Sequence, residues 1–201
     1  MPAEDKSQRK LKAFISYSRD DLDFADQLDA VLDGSGFEAT IDRHGISAAD
    51  DWRQRLGELI RDADSIVFVL SPSSAASDIC RWEVEEATRL AKRIVPVVNR
   101  PLSGVAPPRQ LTDLNYIHFY SEPKVPGSGF GTGLLKLIAA LNEDPVWIRE
   151  HTRLLALAHQ WNEAGRPDGR LLSGDDIAAA KAWMNAPRRS STAPTALHEA
   201  F

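Results

Sequence analysis

Three short segments of this 201-residue chain carry most of the side chains able to do chemistry. The first, Phe14-Ile-Ser-Tyr-Ser-Arg-Asp-Asp21, offers hydroxyls on Ser16, Tyr17 and Ser18 and a guanidinium on Arg19. Arg19 is a natural anion partner, because its planar fork of donors matches phosphate and carboxylate oxygens. Asp20 and Asp21 fit the first turn of a following helix, where carboxylates meet the positive end of its dipole. The second segment, Asp42-Arg-His-Gly-Ile46 leading to Asp51-Trp52, mixes charge with an apolar residue beside a glycine. His44 has the residue type of a catalytic acid or base near neutral pH, but a lone loop histidine is more often plain surface. The third, Leu70-Ser-Pro-Ser-Ser74 leading to Cys80-Arg-Trp-Glu83, supplies hydroxyls on Ser71, Ser73 and Ser74 and a carboxylate on Glu83. Ser-Pro-Ser-Ser is equally a turn before a helix, and a helix glutamate is ordinarily solvated. Cys80 is the single cysteine, so no internal disulfide forms, and no Cys and His cluster has metal-ligand spacing. No metal is expected.

What unites these segments is their position after predicted strands. Short β-branched and aromatic runs alternate with stretches of helical period, the pattern of a parallel sheet covered by helices on both faces. The fold class is α/β, with strands predicted at 12–17, 37–41, 65–70, 94–98 and 116–119 and nearly continuous apolar residues in each. Helical stripes fall on Leu22, Phe24, Ala25, Leu28, Val31 and Leu32, then on Trp52, Leu56, Leu59 and Ile60, then on Cys80, Val84, Ala87 and Ala91. Gly34 and Gly36 stop the first of these. The proline-rich stretch 100–109 reads as a loop, and 130–141 as the last helix of the domain. Ligands of open parallel sheets sit outside the carboxyl ends of the strands, where all three segments lie. At about 100° per residue, Glu83 flanks the Cys80, Val84, Ala87 stripe at the strand-end edge of its helix. Glu85 points away, and Trp82 lies nearly opposite the stripe.

With 43% hydrophobic and 26% charged residues the chain is an ordinary globular protein, and its net charge of −5 argues against a nucleic-acid partner. Apolar runs such as Ile66-Val-Phe-Val-Leu70 are too short to cross a bilayer, and the first ten residues have no apolar core. A cytoplasmic location with no membrane partner is expected. Residues 1–10 are expected to be disordered, 11–143 to form the main domain, and 144–186 a helical extension opened by Asp144-Pro145. Gly165 to Gly169 divides that extension, and 187–201, short of large apolar residues, is expected to be a mobile tail.

In order and spacing, the F-I-S-Y start, the loop after the second strand, the L-S-P-S turn and the C-x-x-E helix resemble the TIR (Toll/interleukin receptor) domain family of the bacterial type, over about residues 10 to 143. The resemblance implies a flavodoxin-like, five-stranded parallel sheet flanked by helices, with a small C-terminal helical extension. Some TIR domains cleave NAD at the nicotinamide glycosidic bond and others only assemble. The family's catalytic glutamate lies in the C-x-x-E segment, which assigns that role to Glu83. NAD is then a substrate, and no cofactor is implied. Ser16, Tyr17, Ser18 and Arg19, with Ser71 and Ser73, become candidates for the ribose and phosphates. Many active members carry a tryptophan just before the cysteine, where this chain has Ile79. Trp82 is then a ligand-stacking ring or an assembly contact, or a half-buried surface residue.

The loop of Asp42, Arg43, His44, Gly45 and Ile46 corresponds to one that contacts a neighbouring domain in TIR assemblies, which implies self-association. The stretch from His151-Thr-Arg-Leu-Leu155 to Trp183 resembles a connector in bacterial proteins that carry sensor modules, so a sensor in the same or another chain is an implied partner. Together these imply an NAD glycohydrolase of bacterial defence against phage, releasing nicotinamide and ADP-ribose or a cyclised isomer. The alternatives are a TIR scaffold, adaptor or virulence effector without catalysis, and a phosphoacceptor receiver domain. The receiver needs an Asp at the end of the third strand, where Leu70-Ser71 stands.

Overall fold

A computed structural model describes residues 9–43, 52–188 and 192–201. Its strands are β1 (Lys12–Ser16), β2 (Glu38–Ile41), β3 (Ser65–Leu70), β4 (Arg93–Val98) and β5 (Ile117–His118), all parallel, in the order β2-β1-β3-β4-β5. All six residues of β3 are buried, which explains why its sequence is apolar throughout. Leaving β1, the chain crosses to β2 on one side and then to β3 on the other, so a crevice opens between the carboxyl ends of β1 and β3.

Side chains leave each strand alternately to the two faces. Ala13 and Ile15, Val67 and Val69, and Val95 and Val97 point to one face, packed against Leu28 and Leu32 of α1 (Leu22–Gly34). Leu137 and Leu141 of the later helix Phe130–Leu141 close the same layer. Phe14 and Ile66 point to the other face, onto Leu56 and Ile60 of α2 (Trp52–Asp62). Between α1 and β2 the chain reverses at Gly36, whose φ of +92° suits glycine, and the Phe37 N–H donates to the Leu32 carbonyl at 3.1 Å.

Ser-Pro-Ser-Ser, read as a turn, is a short helix of its own, α3 (Pro72–Ala76). The Ser71 hydroxyl accepts from the Ser74 N–H and the Ser74 hydroxyl from the Ser71 N–H, a reciprocal cap with Pro72 at the first helical position. Next come α4 (Asp78–Arg89) and, beyond the proline-rich loop, α5 (Phe130–Leu141). The loop after β4 ends in a 3₁₀ turn, Arg109–Leu111, which buries Leu111.

The extension comprises α6 (Pro145–Glu163), α7 (Asp175–Asn185) and α8 (Ala196–Ala200). The Trp147 and Trp183 rings stack at 4.8 Å between centroids, and Trp183 donates its indole N–H to the Trp147 carbonyl at 3.0 Å. Within the tail, residues 192–201 make contacts with the extension. There Thr195 caps α8, His198 is buried against His151, and Phe201 meets the Trp161 ring. Residues 1–8, most of the stretch expected to be disordered, and 189–191 of the tail lie outside the described residues; Arg9 pairs with the buried Asp64 at 2.9 Å. No helix among the described residues is long and apolar enough to cross a membrane.

Candidate functional site

At the carboxyl end of β1 the backbone turns away from the sheet, and a cavity of about 350 Å³ lies beside it. Its polar lining comes from Tyr17, Ser18 and Arg19 after β1, Asp42 after β2, and Ser77 and Glu83 of the α4 region. Phe14, Ile15, Leu56, Ile79 and Cys80 supply apolar walls. The volume falls at the lower end of small-molecule clefts, roughly 300–1,000 Å³.

Glu83 is 4% exposed although it is a charged residue type on a helix. Ser77 begins α4 by accepting the Cys80 N–H, which fixes the first turn and sets Glu83 over the end of β1. The Ser16 hydroxyl donates to Glu83 Oε2 at 2.6 Å. Burial pushes the Glu83 carboxyl up to about 7, the Asp42 charge pushes the same way, and the Ser16 hydrogen bond and Arg19 oppose them. The result is an acid poised near neutrality beside a cavity, a pairing frequent at functional sites.

The opposite wall is tied to the exit of β2. Tyr17 and Arg19 both donate to the Asp42 carbonyl, at 2.9 and 2.7 Å, and Arg55 of α2 reaches the Asp42 carboxylate at 3.2 Å. Arg19 is about half exposed, so its cation stands at the rim. The Cys80 thiol is pushed up to about 12, first by burial and then by the Glu83 charge, so it is a packed wall group and not a nucleophile.

Of the residues singled out in the sequence, Ser16, Tyr17, Ser18, Arg19, Asp42 and Glu83 converge on this cavity or on Glu83 itself. Ser71 and Ser73 do not line it. Ser71 is fully buried, caps α3 and donates to the Asp21 carboxylate, while Ser73 accepts from Arg100 at 3.2 Å. Trp82 is not a cavity residue either. Its ring meets Trp52 edge-on at 5.2 Å and lies over Gly57, because α2 runs alongside α4 and buries a second face of it. One helical stripe underestimates a helix packed on two sides. Arg43 turns to Asp26 and Asp29 of α1, and His44, Gly45 and Ile46 lie outside the described residues.

Asp21 was assigned to the helix start, yet its carboxylate makes no cap bond. It is 2% exposed and receives the Ser71 hydroxyl, the Asn99 amide at 3.1 Å and Arg100 at 3.0 Å. These partners follow β3 and β4, so Asp21 ties three strand exits together. The signal in the sequence was a polar residue at each of those exits. Ser77, Ile79 and Leu56 were also missed as lining, since each reads as an ordinary helix residue.

A family model described as TIR domain matches residues 13–132. The chain belongs to the TIR domain family. Among solved structures, the TIR domain of the Toll-related receptor TRR-2 from Hydra magnipapillata superposes with a TM-score of 0.50 at 19% identity, covering 63% of this chain and 97% of that one. A prokaryotic SEFIR domain gives 0.51 at 16% identity, covering 68% and 96%. At such identities the likeness concerns the fold, the flavodoxin-like parallel sheet of TIR domains. No curated protein matches the chain. Ser16 and every lining residue of the cavity, Glu83 included, fall within the matched TIR range.

Proposed function

We propose that this TIR domain is an NAD glycohydrolase, with Glu83 as its catalytic residue. The observation that carries the proposal is one carboxylate, buried, held by a serine hydroxyl and facing a cavity large enough for one nucleoside half of a dinucleotide.

Nicotinamide leaves as a neutral ring from a pyridinium, so the leaving group needs no general acid, unlike that of ordinary glycosidases. The C1′–N bond breaks, positive charge moves onto the ribose, and an anion placed there in advance stabilises it. Glu83 in its ionised form can accept ribose hydroxyls while facing that charge. The arriving pyridinium itself draws Glu83 toward the carboxylate, since a nearby cation favours the charged form. Water then forms the new C1′–O bond and releases a proton, giving ADP-ribose; attack by a nitrogen of the adenine base gives a cyclic isomer instead. The apolar wall of Leu56 and Ile79 suits the departing ring, and Ser18 and Arg19 at the rim suit the ribose and phosphates.

Activation by self-association through the 42–46 loop, and a role in bacterial defence with a sensor module, extend the same proposal. The direct test incubates purified protein with NAD over a hundredfold range of protein concentration and resolves products by mass. Nicotinamide should appear, with a steeper than linear dependence on protein that Gly45→Pro or Ile46→Asp removes. Absence of nicotinamide at every concentration would leave a TIR module that only assembles.

A further inference from the structure

Helix α6 lies outside the matched TIR range, yet it completes the apolar layer beneath the cavity. Leu155, 1% exposed, joins the cluster of Phe14, Leu56, Ile60 and Ile66, and Phe14 and Leu56 are themselves cavity walls. Polar contacts repeat the link. Lys92 donates to the carbonyls of Arg61 and Ala63 at the end of α2, at 2.8 and 2.7 Å, and to the Thr152 hydroxyl of α6 at 3.2 Å. Thr152 also donates to the Ala63 carbonyl at 3.4 Å. Helix α2 is thereby held by α6 at its carboxyl end, while nearer its amino end Arg55 and Leu56 form the site.

We propose that α6 is a positioning strut, and that the C-terminal helices set how open the cavity over Glu83 is by fixing α2 through Leu155 and Thr152. Cores are close-packed and shift as units, so loosening one end of a short helix displaces the wall carried at its other end. The adjoining face of α6, where Leu154 and Trp147 share a cluster with Trp183 of α7, grips α7 and gives the extension its own core. A change in α7 or α8 thus has a mechanical path to the site. The consequence for turnover rests on the NAD proposal; the structural content does not.

Cys80 makes this testable without substrate, as the single cysteine of the chain and a buried wall of the cavity. Full-length wild type, Leu155→Ala and Leu154→Ala would be labelled with a disulfide reagent across denaturant concentrations below the unfolding transition. The denaturant dependence separates local opening from global unfolding. Leu155→Ala should speed denaturant-independent labelling at least tenfold, with Leu154→Ala near wild type. Equal rates in the two variants, or labelling in Leu155→Ala that occurs only through global unfolding, would overturn the strut. If Leu155→Ala does not fold, Thr152→Val carries the same test with the same outcomes. With NAD, the Leu155 variant should raise KM more than it lowers kcat. An increase in thiol exposure with no nicotinamide from wild type would sink the NAD proposal and leave the strut standing.

Discussion

Glu83, at the middle of α4, and Lys92, just beyond its carboxyl end, are buried ionisable groups, and both are displaced to about 7 by burial, the acid upward and the base downward. Their surroundings differ. The Lys92 ammonium has three acceptors for its three protons, two of them carbonyls at the end of α2, so it is satisfied within the fold. The Glu83 carboxylate takes one hydrogen bond, from Ser16, among the described residues, and otherwise borders a cavity. The same end point therefore marks two different jobs. A buried charge that the fold satisfies is a structural bolt, whereas one left with spare hydrogen-bonding capacity beside open volume is available to a ligand.

The sharpest way to break this contrast is Glu83→Gln, which should lower nicotinamide release by at least about a hundredfold, the scale of losing a main electrostatic stabiliser. Retention of activity within a few-fold would end the assignment. The same variant should gain stability. The folded state holds the Glu83 proton more tightly than the unfolded chain does, so wild type loses stability as pH rises from about 4.5 to about 7 and stays low above that. At pH 8 the glutamine variant should therefore be more stable by up to about 3 kcal/mol, and at pH 4.5 nearly equal, as read by denaturant melts.

Lys92→Met should do the reverse. It strands buried carbonyls, and a loss of about 2–4 kcal/mol is expected near neutral pH. Because the folded state binds the Lys92 proton less tightly than the unfolded chain, wild-type stability should rise between about 7 and 10.5, and the methionine variant should lack that rise. A flat wild-type profile over this range would show that Glu83 and Lys92 are not the mirror pair described.

Smaller effects refine the site. Glu83 must be ionised to face the developing charge, so kcat/KM of wild type should climb with pH through about 7 and then level. Ser16→Ala removes the hydrogen bond that holds the carboxyl down, so the midpoint should move to higher pH, with a drop of about threefold to thirtyfold at pH 7. An unmoved midpoint would mean that Ser16 does not set the ionisation of Glu83.

Much of this molecule was legible in its amino-acid order. The predicted 65–70 strand is Ser65–Leu70 and the predicted 130–141 helix is Phe130–Leu141, because an unbroken β-branched run and a long 3.6-residue period each admit one structure. The edge strand was overestimated, since Ile117–His118 pairs on one side only and its neighbours need not stay extended. Residue types and their places after strands also brought Ser16, Tyr17, Arg19, Asp42 and Glu83 into view as a group. Tertiary structure alone decided which hydroxyls serve the site and which serve the fold, because Ser16 ends β1, Ser71 directly follows β3, and what faces each is not written in the local sequence. It decided that Trp82 packs on Trp52, and that Asp21 links three strand exits instead of capping a helix. It also decided that Leu155, 72 residues beyond Glu83 in the chain, lies under the same site. Local periodicity reports which face of an element is buried, and it carries no record of the partner that buries it.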